Sequence, residues 1–423
     1  MEYYVKNVPI PSDYFGVLWA LSGIENAIVI EHGSTGNVSY NKINYYVMNR
    51  QSPQGKLFSS GLDEDDVVMG REERLISAIK ELDTRFQPEI IFVVATSVTS
   101  IIGLDLDGII AEIQPDVNAF LIAFPSGGFC GNYQWGIKKV YRTLFENVIE
   151  KPTAREPLMV NLIGPSIDTF NNPSDIAELR RLLRRFHIHV HTVFTAQTDV
   201  EKIRTMANVA LNIVTRDVGL EVAELCQERF HIPYVYGLPF GVQGTVNWLK
   251  TITDALHIAF DLDTIRDDIL TYGKTLKELL GVGQQVDNVK IAVSCPYDYA
   301  LGLTRFIKEQ WGLKTGLVLL PVQPEAPEAL KVFESLGADR IVVEPTNTSV
   351  EEMFHQEQYH VLFGSYHDLQ MAENVPIKLH AAFPSFDYLY MYDGTPFVGF
   401  RGTAYLTQLF INSINQHVEV LAR

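Results

Sequence analysis

The sequence predicts an α/β fold built from three small doubly wound parallel sheets, and three observations carry that expectation. Short apolar, β-branched runs alternate with longer amphipathic stretches all the way to the C-terminus, the pattern of repeated βα units. A length of 423 residues is too great for one ordinary domain and points to two or three. Two breaks divide the series: Glu150 to Pro157, with two prolines and mixed charges, and Gly281 to Asn288, after a long helical stretch. The expected domains are therefore 1–150, 151–285 and 286–423, the last ending in a C-terminal helix.

In the first domain, strands are expected at Ala27 to Glu31, Ile90 to Ala95 and Ala119 to Phe124. In the second they are expected at Leu158 to Ile163, Ile188 to Phe194 and Leu211 to Val214. The third supplies Lys290 to Val293, Thr315 to Leu320, Arg340 to Val343 and His360 to Gly364. Each is a short Ile, Val, Leu or Phe-rich run of the kind that parallel sheets bury. Between them, Ser174 to Phe186 has helical periodicity, with Ser174 or Asn172 to cap it and Pro173 suited to a first turn. Asp63 to Asp66 reads as another helix start, where carboxylates meet the positive end of the dipole. In sheets of this kind, binding crevices open at the carboxyl ends of the strands.

Composition narrows the function. Hydrophobic residues make up 47% of the chain and charged residues 20%, and the mean hydropathy is near zero, as in a globular protein. No apolar run reaches the roughly 18 residues of a membrane helix. The start, Met1-Glu2-Tyr3-Tyr4, has no basic leader region. A cytoplasmic location and no membrane partner are expected. The net charge of −17 comes without clustered Lys and Arg, which argues against a nucleic-acid surface but leaves a protein partner open. No G-x-x-x-x-G-K-[ST] and no complete G-x-G-x-x-G occur, so nucleotide hydrolysis and independent NAD binding are not expected.

Only three cysteines are present, Cys130, Cys226 and Cys295, with no C-x-x-C spacing. They cannot build a disulfide framework or supply four thiolates to an iron-sulfur cluster unaided. Cys226 shares a helix face with Val222 and Phe230 and reads as core, and Cys295, ahead of Pro296, reads as structural. Cys130, between Gly128 and Gly131, is either a small loop residue or a ligand or reactive thiol. His187, His189 and His191 alternate on one strand and so share a face, either as a metal-binding row or as a partly exposed surface. Ile188 and Val190 would fill the other face.

Three loop segments stand beside strand-like runs: His32-Gly33-Ser34-Thr35-Gly36-Asn37, Ser59 to Asp65, and Ala95 to Leu106. They are followed in order by Gly128-Phe129-Cys130-Gly131, Ala210 to Val214, Phe230-His231-Ile232-Pro233-Tyr234 and Pro239 to Val242. Next come Phe363-Gly364-Ser365, Val375-Pro376-Ile377, Ala382 to Asp387 and Gly399-Phe400-Arg401-Gly402-Thr403. In this order the chain resembles the nitrogenase component 1 family, and most nearly its β-type subunits. The resemblance implies three Rossmann-like domains around a central cleft. It also implies a subunit of a nitrogenase-like two-component oxidoreductase, fed with electrons by a separate ATP-hydrolysing iron-sulfur reductase. The reductive site would be completed by a cysteine-bearing α-type paralogue or a homodimer mate.

The departures from the family matter as much. In nitrogenases both subunits give cysteine thiolates to a shared cluster, and in the similar dark-operative protochlorophyllide reductase one subunit offers an aspartate at the first loop. Here Asn37 and Ser97 stand where cysteines would be expected. Where α-type subunits use a cysteine for the substrate-reducing cofactor, this chain has Thr215 and Arg216. Any iron-sulfur cluster is therefore expected to be held mainly by a partner subunit. Cys130, His32, Asn37 and Ser97 would line the site, with Cys130 as the candidate metal ligand. His380, close to a cofactor-binding histidine of α-type relatives, is a further candidate. The alternative is a non-catalytic scaffold or metallocofactor-binding protein of the same fold.

Overall fold

The computed structural model describes residues 10–49, 56–272, 289–326, 328–385 and 394–417. After β1 (Ile24–Glu25), a first sheet is formed by β2 (Ala27–His32), β3 (Lys56–Ser59), β4 (Ile90–Ala95) and β5 (Phe120–Phe124) in the order β3-β2-β4-β5. All its pairs are parallel. The second sheet takes β6 (Glu156–Ile163), β7 (His189–Phe194), β9 (Val209–Val214) and β10 (Tyr234–Tyr236) in the order β10-β9-β6-β7. Between these, β8 (Thr198–Asp199) pairs with β1 and stitches the first two regions together. The third sheet contains β11 (Ile291–Ser294), β12 (Thr315–Leu320), β13 (Arg340–Val343), β14 (Val361–Gly364) and β15 (Ile377–His380), ordered β13-β12-β11-β14-β15. The parallel α/β architecture is the one the alternating pattern predicts.

The central strands match expectation because both of their faces are buried and their sequences are continuously apolar: every residue of β4 is buried. Apart from the two-residue β1 and β8, the strands that pattern reading misses, β3, β10 and β15, are all at sheet edges. An edge strand needs fewer apolar residues, and these carry Lys56, Tyr236 and Lys378. The break expected at Glu150 to Pro157 is shorter than predicted, since Glu156 and Pro157 already belong to β6. Proline is tolerated there because the pairing of β6 with β9 is irregular between Glu156 and Val160. The break at Gly281 to Asn288, the segment Met1 to Tyr4, and Phe386 and Asp387 lie outside the described residues.

Two local expectations shift. The helix predicted from Ser174 runs Asn172–Arg185, preceded by Asn171 in a left-handed conformation whose side chain does not cap it, with Pro173 in its first turn. The histidine row is broken, because His187 has a φ of +59° and lies in the turn before β7. Only His189 and His191 ride the strand, and His191 is 3.1 Å from the Thr205 hydroxyl. The acidic run behaves as predicted: Asp63 caps the helix Glu64–Met69, its carboxylate accepting from the Asp66 amide while Asp66 accepts from the Asp63 amide.

Two shared cores hold the three sheets in place. One packs the second sheet against the third through the helices Gly241–Ala255, Tyr297–Trp311 and Gly399–Gln416. The other joins the first sheet to the second through the helices Asp13–Ser22, Tyr133–Asn147 and Leu220–Phe230. The crossing of Asp13–Ser22 over Tyr133–Asn147 depends on glycine in both helices. A Cβ on Gly16 would lie 1.9 Å from the Tyr133 carbonyl oxygen, and one on Gly136 would lie 2.0 Å from that of Asp13. Among the described residues no helix is long and apolar enough to cross a membrane.

Candidate functional site

Because the first sheet is wholly parallel, β2, β3, β4 and β5 deliver their following loops to one edge. There, short hydroxyl side chains bind the loops to one another. The His32 carbonyl accepts hydrogen bonds from the hydroxyls of Thr96 at 2.9 Å and Thr99 at 3.2 Å. The Gly33 carbonyl accepts from the Ser59 hydroxyl at 2.8 Å and the Leu62 amide at 2.9 Å. Ser97 donates to the Gly127 carbonyl at 3.0 Å, and Ser100 donates to that of Pro125 at 2.7 Å. Gly33 has no room for a side chain, since a Cβ would sit 2.4 Å from the Thr96 methyl.

Asn37, Ser97 and Cys130 all lie on this edge, and all three are exposed. Asn37 is in the first turn of the helix Thr35–Asn49. Ser97 opens the helix Ser97–Ile101, and its hydroxyl proton is committed to Gly127. Cys130 is presented by a loop whose amides at 130 and 131 donate to the buried Asp13 carboxylate at 3.1 and 3.3 Å. His32 lies beneath the loops instead of lining the open edge. It is 1% exposed, with Nδ1 2.8 Å from the Ser60 hydroxyl and no partner for Nε2 among the described residues. Burial pushes its imidazole down to about 4, against a weaker upward pull from Asp66, so it is neutral at pH 7.

His380 does not join this group. It ends β15 on the third sheet, opposite Gly364 of β14. Among the described residues no three His, Cys, Asp or Glu side chains converge in a way that could hold a metal ion. With Cys130 the one thiol at the edge, the donors of this chain do not by themselves fit a cluster that takes four thiolates.

Sequence reasoning overlooked two buried polar groupings. On β2, Glu31 is fully buried and accepts from the Tyr14 hydroxyl and, at 3.0 and 3.1 Å, from the Asn41 amide. Burial raises its carboxyl above the usual range, only partly offset by these hydrogen bonds. A carboxylate directly after the apolar run Ala27 to Ile30, still within the strand, is the available signal. The second grouping lies where the second and third sheets meet. Arg216, 4% exposed, donates to both oxygens of Asp168 at 3.0 and 2.8 Å, to the Thr169 hydroxyl at 3.0 Å and to the Gly164 carbonyl at 3.2 Å.

Beside that pair is a small crevice, with room for little more than a water molecule, lined by Thr169, Asn172, Asp175, Arg216 and Tyr299 among others. Asp175 accepts from the Tyr299 hydroxyl and, at 2.7 Å, from the Phe397 amide, and burial pushes its carboxyl up to about 7. Asp298 accepts from the Tyr236 hydroxyl and the Asp217 amide, and burial, reinforced by the neighbouring Asp217, raises it to about 8. The interior position after β9 is thus filled by the chain's own charged side chains, with no soft ligand among them.

A family model described as nitrogenase component 1 type oxidoreductase matches residues 12–415. The chain is 25% identical over 405 residues to the nitrogenase iron-molybdenum cofactor biosynthesis protein NifE of Clostridium pasteurianum, covering 95% of this chain and 87% of that protein. It is 23% identical to the nitrogenase iron-iron protein beta chain of Rhodobacter capsulatus, covering 96% and 92%. To a light-independent protochlorophyllide reductase chain of Zygnema circumcarinatum it is 22% identical, covering 96% and 83%. Among solved structures, nitrogenase Cp1 at pH 6.5 has the same fold, with a TM-score of 0.83 at 19% identity over 99% of this chain and 95% of that one.

Proposed function

The chain belongs to the nitrogenase component 1 type oxidoreductase family, and from that premise we propose that it completes a reductive site with a partner subunit and receives electrons from an ATP-dependent iron-sulfur reductase. The observation that carries this is the convergence of Asn37, Ser97 and Cys130 on one exposed edge of the first sheet. The hydroxyl bonds from Thr96, Thr99 and Ser97 hold those loops in fixed register, so the edge is a rigid wall for a site shared between chains. With a single thiol there, the thiolates of any iron-sulfur cluster come mainly from the cysteine-bearing partner. The protein acts in the cytoplasm.

A scaffold role, in which the fold holds or hands over a metallocofactor without reducing a substrate, is favoured by two observations. The position after β9 carries the Arg216 and Asp168 pair instead of a thiol, and one relative is named as a cofactor biosynthesis protein. Anaerobic co-purification with the cysteine-bearing paralogue, followed by iron analysis and electron paramagnetic resonance with and without reductase and ATP, separates the two. Iron that is reduced only when reductase and ATP are both present supports the oxidoreductase. A stable complex whose metal stays unreduced supports the scaffold.

A further inference from the structure

We propose that the three sheets meet in a proton-controlled clasp, in which residues 321–326, after β12, strap the unit built on the third sheet to the other two and loosen when Asp217 and Asp298 are both charged. This junction is independent of what the exposed edge of the first sheet holds.

The strap touches both neighbouring units. Val322, 5% exposed, belongs to the core that joins the first and second sheets, although it follows a strand of the third. The Glu325 amide donates at 3.4 Å to the carboxylate of Asp217, which follows β9. The Glu325 carboxylate takes Lys138 Nζ, from the helix Tyr133–Asn147, at 2.7 Å. A second segment of the third unit reaches the same place: Asp298, in the first turn of the helix Tyr297–Trp311, accepts from the Asp217 amide at 3.0 Å. Asp217 is therefore held twice, once by its side chain and once by its backbone.

Charge makes this hold conditional. Asp217 and Asp298 are neighbours, 3% and 8% exposed. Arg216 is bonded to both oxygens of Asp168, and Lys138 to Glu325. Among the described residues at this junction, four carboxyls thus stand against two cations, each cation already paired. The phenols of Tyr133, Tyr236 and Tyr297 also face the two acids, and burial raises all three, so they stay neutral. Two like charges in a buried site repel, and one proton on the pair relieves the repulsion. Burial, reinforced by Asp217, accordingly raises Asp298 to about 8, and burial raises Asp217 against the pull of Arg216. Opening admits water and returns Asp298 toward the ordinary 3.8. The closed form therefore loses ground as pH rises from about 4 to about 8, and no further above that.

The experiment is hydrogen exchange read by mass spectrometry on the full chain at about pH 5.5 and about pH 8.5, with rates corrected for intrinsic exchange. Segments 215–219 and 322–326 contain the two crossing amides. Their opening constants are expected to be at least about tenfold larger at the higher pH, while β4 and β6 keep their protection. D298N, which cannot ionise, should hold the junction equally closed at both pH values. D217N retains an acceptor for the Glu325 amide but not the like charge, and should show a smaller rise than the parent. Opening constants that do not change with pH in the parent, a rise shared equally by β4 and β6, or a D298N or D217N variant as responsive as the parent overturns the proposal.

Discussion

Arg216 and Asp168 form a bidentate ion pair, both side chains 4% exposed, at the point where the strand β9 ends. A guanidinium buried this deeply is tolerable only with its carboxylate in place, because an uncompensated charge in the interior is costly. Asp168→Ala should therefore destabilise the protein by about 3–5 kcal/mol. Arg216→Met/Asp168→Leu, which removes both charges and keeps the volume, should recover most of that loss. Urea midpoints of the two variants and the parent measure the difference. Equal loss in both would mean that packing, not the charge, sets the cost.

The helix crossing at Gly16 and Gly136 gives a second prediction. Each glycine abuts a backbone carbonyl of the opposite helix, an atom that cannot turn aside as a flexible side chain does. Gly16→Ala should cost about 1–3 kcal/mol or more by overpacking. It should also disturb the Cys130 loop, which hangs on Asp13 in the same helix. Gly36→Ala is the control, since its nearest neighbour would be the Ser34 hydroxyl at 3.8 Å, and its denaturation midpoint should stay close to that of the parent.

Acid–base behaviour follows from Asp298. Its folded-state value of about 8 lies above the ordinary 3.8, so the folded protein holds a proton that the unfolded chain releases as pH rises. The contribution is greatest below about pH 4, declines between about 4 and 8, and is constant above that. Asp298→Asn cannot ionise and should flatten this part of the stability profile, whatever its effect on absolute stability. Urea titrations at several pH values across the window test it, and a profile as steep as the parent's would remove Asp298 as the source.

His32 has the opposite sign. Burial lowers its folded value to about 4 from 6.5, so between those limits the unfolded chain takes up a proton and the folded protein does not. Stability from this group is complete above about pH 6.5 and is lost as pH falls toward 4. The imidazole should give neutral-form nuclear magnetic resonance shifts at pH 5.5. A midpoint near 6.5 would mean that the ring has access to water and lines the open edge.

The sequence pattern exposed what burial on both faces imposes and missed what long-range pairing imposes. The strand Ile90–Ala95 is legible because a central parallel strand buries both faces and so reads as a short, continuous, β-branched apolar run. Tyr234–Tyr236 is not, because its strand character comes from pairing with Asn212 to Val214, far away in the chain. Asn37, Ser97 and Cys130 could be placed at strand ends from the order of elements alone. The burial of His32 under its neighbours, and the partnership of Arg216 with a residue 48 positions earlier, depend on tertiary packing that no local spacing encodes.

Ser97 closes the set, because its geometry distinguishes a staple from a ligand. As donor to the Gly127 carbonyl at 3.0 Å it is a neutral hydroxyl engaged with the loop that carries Cys130. Losing one such bond costs about 1 kcal/mol, and here the cost should be local. Ser97→Ala is expected to raise amide hydrogen exchange across residues 126–131 while β4 and β5 stay protected, and Ser97→Thr, which retains the donor, should restore the parent rates. Exchange unchanged in Ser97→Ala would show that Asp13, through the amides at 130 and 131, holds the loop alone.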